Sequence, residues 1–468
     1  MSQGRPLVVV VGAGISGLAA AWQLARQPAP PRVVVLEQSG RVGGKLLVGA
    51  VGDVEVDLGA ESVLARRPEA LTLLSELGLD DDVTHPVTAS ASVVRDGVLH
   101  PLPAGKVMGV PGRPEALGAV LTAGEVARVA AEPTLAPTDV GDDVSVGDYV
   151  AARVGRAVVD RLVEPLLGGV YAGHADRLSL RTTVPQLWDV ARRGASLLDG
   201  VRALTPPPAA GMRPPVFAGL RGGLGRLPER LAEALVALGV EVRTGVTVRE
   251  LHRTPTGWRL VTGPVPAPET LDADGVVLAV PPAPAARLLR REVPAAAAEL
   301  AGVETASVAL VAALLPRAAA TGLTGSGLLV PPVEGRPVKA ATFSSSKWGW
   351  VDELDPRHVV VRASLGRAGE EAVLQRDDGD LARLALDDLG DLLGRELRPV
   401  AVRVVRWGGA LPQPAVGHAA AMERALAAVG AVPALGLAGA AIGGVGIPAC
   451  IATAQQAARA VAAAVAVP

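Results

Sequence analysis

The first fifty residues change hydrophobic period twice. Val8 to Val11 is an unbroken β-branched run, the pattern of a strand buried on both faces. Gly12 to Gly14 ends it, and an alanine-rich helix is predicted from Ile15 to Gln27, where Pro28, Pro30 and Pro31 break the chain. A second apolar strand runs from Arg32 to Leu36 and stops at Glu37. Further on, a helix is expected from Pro68 to Leu77, ended by Gly78, and a hairpin from Val93 to His100 turning at Asp96-Gly97.

Between Pro101 and Arg213 strand signals nearly vanish. Helical periodicity marks Ala116–Ala131, Val146–Arg153 and Ala157–Leu167, and the proline-rich stretch Leu204 to Pro215 reads as an exposed linker. At Gly219 an α/β texture returns. A helix spans Leu227–Leu238 with Gly239 as its stop, and strands follow at Val240–Arg243, around Trp258 and at Val276–Ala279. Strands at Ser307–Leu314 and His358–Ser364 then mix with a helix at Asp380–Leu393. The end of the chain is predicted as a strand at Leu435–Gly439, a loop at Gly443–Pro448 and a helix to Val465. These textures divide the chain into a discontinuous α/β domain (1–60, 219–285 and 406–468), a second domain with a mixed sheet (61–100 and 286–405) and a helical insertion (101–218).

Composition narrows the chemistry. With 49% hydrophobic and 20% charged residues over 468 positions, the chain can bury several cores. A net charge of −2 provides no global positive field, so nucleic acid is not expected as a partner. The single cysteine, Cys450, rules out an internal disulfide framework and a cysteine-based zinc site, and no metal is expected. Residues Ala425 to Pro448 carry no charge and are long enough to span a bilayer, but they are interrupted by prolines and glycines and read as a buried strand and turn. The N-terminus leaves no room for a signal peptide, which makes cytoplasmic location the expectation. The sequence is silent on oligomeric state, with a monomer favoured.

The strand, Gly12-Ala13-Gly14-Ile15-Ser16-Gly17, the helix and Glu37 together form a dinucleotide-binding arrangement. Gly12 makes the turn, Gly14 lets a pyrophosphate reach the backbone, and Gly17 lets helix and strand pack closely. The free N–H groups and positive end of the helix face the phosphates. Glu37 is placed to accept from a ribose 2′-OH. Directly afterwards, Gly40-Arg41-Val42-Gly43-Gly44-Lys45 is a second glycine-rich loop, and the combination resembles the large flavoproteins of the amine oxidase superfamily. FAD is therefore expected rather than NAD.

Separated motifs make the resemblance more specific. Glu164-Pro165-Leu166-Leu167-Gly168-Gly169-Val170-Tyr171-Ala172-Gly173, Arg406-Trp407, Ala410-Leu411-Pro412-Gln413-Pro414 and Gly446-Ile447-Pro448-Ala449-Cys450-Ile451 stand in order along nearly the whole chain. With Arg41 to Lys45 they resemble the FAD-dependent porphyrinogen oxidase family, and within it the coproporphyrinogen III oxidases of Gram-positive bacteria. The resemblance implies an α/β fold whose discontinuous Rossmann-like domain binds FAD without a covalent bond, beside a mixed-sheet substrate domain. It implies oxidation of coproporphyrinogen III by O2, releasing H2O2, with protoporphyrinogen IX as the alternative substrate. Flavin N5 takes hydride from a meso carbon, so no side chain is assigned as catalytic.

Carried over by position, the resemblance sets FAD against Gly12 to Gly17, Glu37, Gln38, Gly44, Lys45, Gly59, Ala60, Glu61, Ser62, Val248, Trp407 and Gly446 to Ala449, with a helix N-terminus near N1 and O2 of the ring. Relatives commonly carry an acid where this chain has Ala449. Substrate propionates need basic partners, for which Arg67 is the first candidate and His100 and Lys347 are further ones. An amine oxidase would instead flank the flavin with an aromatic pair, and the chain has only two tyrosines and two phenylalanines. A non-catalytic FAD-binding redox sensor would lose the ring-side loop. Peripheral membrane contact through the helical insertion stays open.

Overall fold

The computed structural model describes residues 5–206 and 215–466, so positions 207–214 of the predicted linker lie outside it. Five parallel strands form the first sheet, in the order Glu241–Arg243, Arg32–Leu36, Leu7–Val11, Gly275–Leu278 and Leu435–Leu437. Both faces are covered, which is why Val8 to Val11 needs no polar alternation. Val8 and Val10 join one core with Leu18, Ala20, Leu24, Leu231, Ala454 and Ala458, whereas Val9 and Val11 join another with Leu251, Trp258, Leu288, Leu300 and Met422. Helices Ile15–Ala25, Arg226–Ala237 and Ile447–Val465 therefore lie on one face. Helices Pro282–Leu289, Pro294–Ala301 and His418–Gly430 lie on the other, with an antiparallel sheet of Val248–Thr254, Gly257–Thr262 and Glu269–Ala273.

Small residues set the closeness of the first face. A Cβ on Gly17 would sit 1.7 Å from the Gly12 carbonyl oxygen, and one on Gly436 would sit 3.1 Å from the Ala457 methyl. The alanines of the first helix extend this fit. Ala19, Ala20 and Ala21 are all buried, so the helix lies against the sheet and the last helix without long side chains between them.

The second sheet has seven strands, in the order Ala401–Pro412, Thr305–Pro316, His358–Leu365, Val338–Phe343, Gly327–Leu329, Ala91–Arg95 and Val98–Pro101. Its pairs are antiparallel except Gly327–Leu329 with Ala91–Arg95. Helix Asp378–Leu393 covers one face through Leu386, Leu389 and Leu392. The expected division at residue 406 falls inside the edge strand Ala401–Pro412. A third core, with Tyr149, Val150, Leu162, Leu167, Leu187 and Val201, holds the helical block together.

Several predicted elements change in detail. The expected helix Ala116–Ala131 is a short turn at Pro114–Leu117 followed by helix Ala123–Ala130. Thr122 caps this helix through the Glu125 N–H, and Glu125 reaches back to the Thr122 N–H. A small hairpin, Lys106–Val107 with Val110–Pro111, interrupts the block read as nearly strand-free. Positions 425–430, expected in a strand and turn, finish helix His418–Gly430, because alanine favours the helix and Gly430 closes it. The expected loop Gly443–Pro448 is shorter, since Ala440–Gly443 is helical and the last helix starts at Ile447 with Pro448 in its first turn. Among the described residues no helix is long and apolar enough to cross a membrane.

Candidate functional site

One cavity of about 590 Å³ runs between the two sheets and reaches the helical block. Its first wall is the end of strand Leu7–Val11. Gly12 has a φ of +101°, which favours glycine, and its N–H donates to the Leu36 carbonyl at 2.8 Å. The chain then opens into helix Ile15–Ala25, whose N-terminus has no side-chain cap, so its first N–H groups are left for a ligand. A Cβ on Gly14 would meet nothing within 4 Å. Its backbone faces open space.

Glu37 ties this turn to the second strand. One carboxylate oxygen accepts from the Ala13 N–H and the other from the Ser39 N–H, both at 2.8 Å. Each oxygen keeps a lone pair for a sugar hydroxyl. The second glycine loop lies beside the first, with the Gly43 N–H donating to the Ala13 carbonyl at 2.8 Å. Arg41 holds this loop by donating to the carbonyls of Val42, Leu46 and Gly44, and its guanidinium stands over the Trp407 ring. Lys45 opens onto the cavity rather than bulk solvent. Desolvation pulls its ammonium below the usual lysine range, partly opposed by Cys450.

A third backbone passage, Leu58 to Glu61, is fastened by three side chains. Trp407 Nε1 donates to the Leu58 carbonyl at 3.0 Å, and Arg362 donates to the Gly59 carbonyl at 2.7 Å. Glu61 lies between Lys347 Nζ and Arg362 Nη1, each at 2.5 Å. Burial alone would raise its carboxyl pKa, but the two cations hold it below the usual range. A Cβ on Gly59 would fall 2.0 Å from the Lys45 carbonyl oxygen, so the second and third passages touch through backbone.

The far wall is built by Ala441 and Ile442 of the short helix Ala440–Gly443, Val445 of the following loop and Ile447 and Cys450 at the start of the last helix. Val308, Leu310 and Ser364 from the large sheet and Gly169 and Val170 from the helical block complete it. The last helix also has no side-chain cap, which leaves a second helix N-terminus at the cavity. Cys450 is buried, its Sγ lies 3.7 Å from the Gly444 carbonyl, and burial pushes its thiol pKa up. The neutral thiol is a poor nucleophile.

Of the residues singled out in the sequence, Gly12, Gly14, Ile15, Ser16, Glu37, Gln38, Gly44, Lys45, Gly59, Ala60, Glu61, Val248, Trp407 and Ile447 line this one cavity. Ala13, Gly17, Ser62, Gly446, Pro448 and Ala449 do not line it. The three candidates for substrate carboxylates lie outside the wall. Arg67 is bound at the surface to Glu69, His100 sits in the edge strand opposite Val93, and Lys347 is committed to Glu61. The wall instead holds Arg362 and Lys339, which no motif revealed. Their signal was a lone cation inside an apolar strand, as in Val338-Lys339-Ala340 and Val361-Arg362-Ala363. Lys339 donates to the Gly366 carbonyl at 2.9 Å, and burial, with Arg367 adding to it, brings its pKa down to about 7.

These walls fit an extended dinucleotide. Three glycine passages line the cavity, the uncapped starts of helices Ile15–Ala25 and Ile447–Val465 both reach it, and a Cβ at Gly14 would meet no protein atom there. The family described as flavin containing amine oxidoreductase matches residues 15–462. The coproporphyrinogen III oxidase of Mycobacterium leprae (strain TN) is 38% identical over 462 residues, covering 98% of each chain. The human protoporphyrinogen oxidase is 30% identical over 96% of this chain and 97% of its own. A crystal structure from Exiguobacterium sp. 255-15 superposes with a TM-score of 0.86 at 32% identity, covering 99% of both chains. The cofactor is FAD and the chemistry is oxidation. With a match over nearly its whole length, the chain belongs to the family of flavin-containing amine oxidoreductases.

Proposed function

We propose that this flavoenzyme oxidises coproporphyrinogen III to coproporphyrin III, with O2 as acceptor and H2O2 as product, as a cytoplasmic step of bacterial haem biosynthesis. FAD, held without a covalent bond, supplies hydride acceptance and reoxidation by oxygen. The chain's own residues position it. Gly12 to Gly17 and the first helix hold the pyrophosphate, Glu37 the ribose, and Gly59 to Glu61 with Trp407 the ring. Ala449 contributes backbone only, so the acid common in relatives is not required for that contact. The parallel sheet with residues 1–60, 219–285 and 406–468 serves as the FAD-binding part, and the seven-stranded sheet carries the substrate.

The observation that carries this reading is the chemistry of the ring-side wall. Among the described lining residues Trp407 is the one aromatic, and beside it stand aliphatic residues, Thr342, Ser364, the Glu61–Arg362 pair and the buried Lys339. An aromatic pair for an amine is not built there, whereas a flat macrocycle bearing carboxylates matches apolar walls and cations. The M. leprae relative's name supports the same substrate. Protoporphyrinogen IX is the second reading, favoured by the human relative.

Anaerobic mixing of the FAD-loaded enzyme with each porphyrinogen, followed by air, tests the proposal. Flavin bleaching by coproporphyrinogen III, then coproporphyrin fluorescence with peroxide, is expected. Faster bleaching by protoporphyrinogen IX selects the second reading. Bleaching by neither overturns both.

A further inference from the structure

Lys339 belongs to the strand Val338–Phe343, whose pairing with His358–Leu365 shifts by one residue between Val338 and Ala340. Strand alternation would send Lys339 away from Ala340 and Thr342. The bulge re-aims it, and all three line the cavity. Their neighbours are Ser364 and, from the helical block, Gly169 and Val170, at the end remote from Glu37.

A lysine in that place has no ion-pair partner among the described residues, and the buried carboxylate of Glu164 lines the same small void as Lys339 and Arg367 without a hydrogen bond to either. Lys339 is 5% exposed, and its ammonium has the Gly366 carbonyl as its hydrogen-bond partner. Arg367, also 5% exposed, adds a second buried cation, and its own carboxylate partner Glu370 lies 3.4 Å away at the surface. Two buried cations beside one buried carboxylate leave a net positive charge, which is costly unless a ligand brings a second anion. The Glu61 site shows the contrast, because there a carboxylate is shared by two cations inside the protein.

We propose that Lys339 is a substrate-binding residue that pairs with a carboxylate of the porphyrinogen and so fixes how the macrocycle lies in the ring-side end of the cavity. The inference rests on the porphyrinogen reading above and adds the contact that the three sequence candidates do not make. A carboxylate at Lys339 meets a desolvated ammonium with free donors, with Arg367 behind it, and the strand bulge fixes the direction of approach. Macrocycles without carboxylates gain nothing from this group.

Titration of the FAD-loaded enzyme with coproporphyrin III and with its tetramethyl ester reads the contact without turnover. The wild type should bind the acid at least tenfold more tightly than the ester. Lys339→Met should lose on the order of 10- to 100-fold in affinity for the acid, with ester affinity and flavin absorbance unchanged and a melting midpoint no lower than the wild type's. Lys339→Arg should retain most of the acid affinity. Equal affinity of the wild type for acid and ester overturns the proposal without any variant, as does a Lys339→Met enzyme that binds the acid like the wild type. Either result leaves anaerobic bleaching by porphyrinogen intact. An enzyme that is not bleached and binds neither porphyrin removes the porphyrinogen reading, and this contact with it.

Discussion

Gly14 and Gly17 belong to one motif yet fail differently when given a methyl group. At Gly17 the added Cβ would lie 1.7 Å from the Gly12 carbonyl, backbone that cannot move without separating helix from strand. Gly17→Ala should therefore cost about 3 kcal/mol of stability, seen as a lowered melting midpoint whether or not FAD is present. At Gly14 the backbone is ordinary (φ −71°, ψ 176°) and the Cβ enters open cavity. Gly14→Ala should fold with the apoprotein's normal midpoint but bind FAD on the order of tenfold more weakly in a titration of flavin fluorescence. That pair was legible in the sequence because local spacing alone determines both roles. Lys339 was not, because its meaning depends on a strand bulge and on Arg367, which only the folded sheet brings near. Its pKa, brought down to about 7, has a further consequence. A lysine that is harder to protonate when folded lowers stability fully below pH 7, and the penalty fades as pH rises toward the ordinary value of 10.5. In the free enzyme, Lys339→Met should melt above the wild type near pH 6.5, and the gap should shrink by pH 9.5. A gap that widens with pH would contradict the buried, unpaired ammonium.

At the scale of elements, short backbone passages are set by side chains from far along the chain. Asp57 ends the strand Val54–Asp57 and accepts from the Leu224 and Gly225 N–H groups at 2.9 and 3.0 Å, fixing the start of helix Arg226–Ala237. Burial pushes its carboxyl up to about 6. Asp57→Ala would leave two buried donors unpaired and should cost about 3 kcal/mol, measured by denaturant unfolding at pH 7.5. Glu61→Gln should be worse placed still, since it leaves Lys347 and Arg362 facing each other with no anion, a loss of about 3–5 kcal/mol. A variant that unfolds like the wild type would show that the pair is not the support inferred for the Leu58–Glu61 passage. The sequence marked this passage through its small residues, but Lys347 was read as a substrate ligand. Its partner lies 286 positions earlier, a separation across which no spacing rule reaches. Periodicity located most helices and strands and misjudged the start of helix Ala123–Ala130, which the Thr122 cap decides, and that of the last helix, where Pro448 sits in the first turn.

For the whole molecule, the cavity is the place where separate cores meet. The glycine passages belong to the parallel sheet, Lys339 and Ser364 to the seven-stranded sheet, and Gly169 and Val170 to the helical block. The parts also meet away from the cavity, since Val93 of the seven-stranded sheet packs into the core of the helical block. A ligand that binds only the folded state adds RT ln(1 + [L]/Kd), about 2.7 kcal/mol at a hundredfold excess over Kd. Spread over a chain this long, that energy raises the melting midpoint by roughly 3–5 °C, fewer degrees per kcal/mol than in a small domain. Calorimetry of apoprotein across a series of FAD concentrations should show the midpoint rising with the logarithm of FAD. It should also show the helical block melting together with the two sheets once FAD is bound, because the filled cavity touches all three. A helical transition that stays separate and insensitive to FAD would mean that Gly169 and Val170 only border the cavity. The coupling would then be confined to the two sheets, and the block's part in the site would be left to substrate alone.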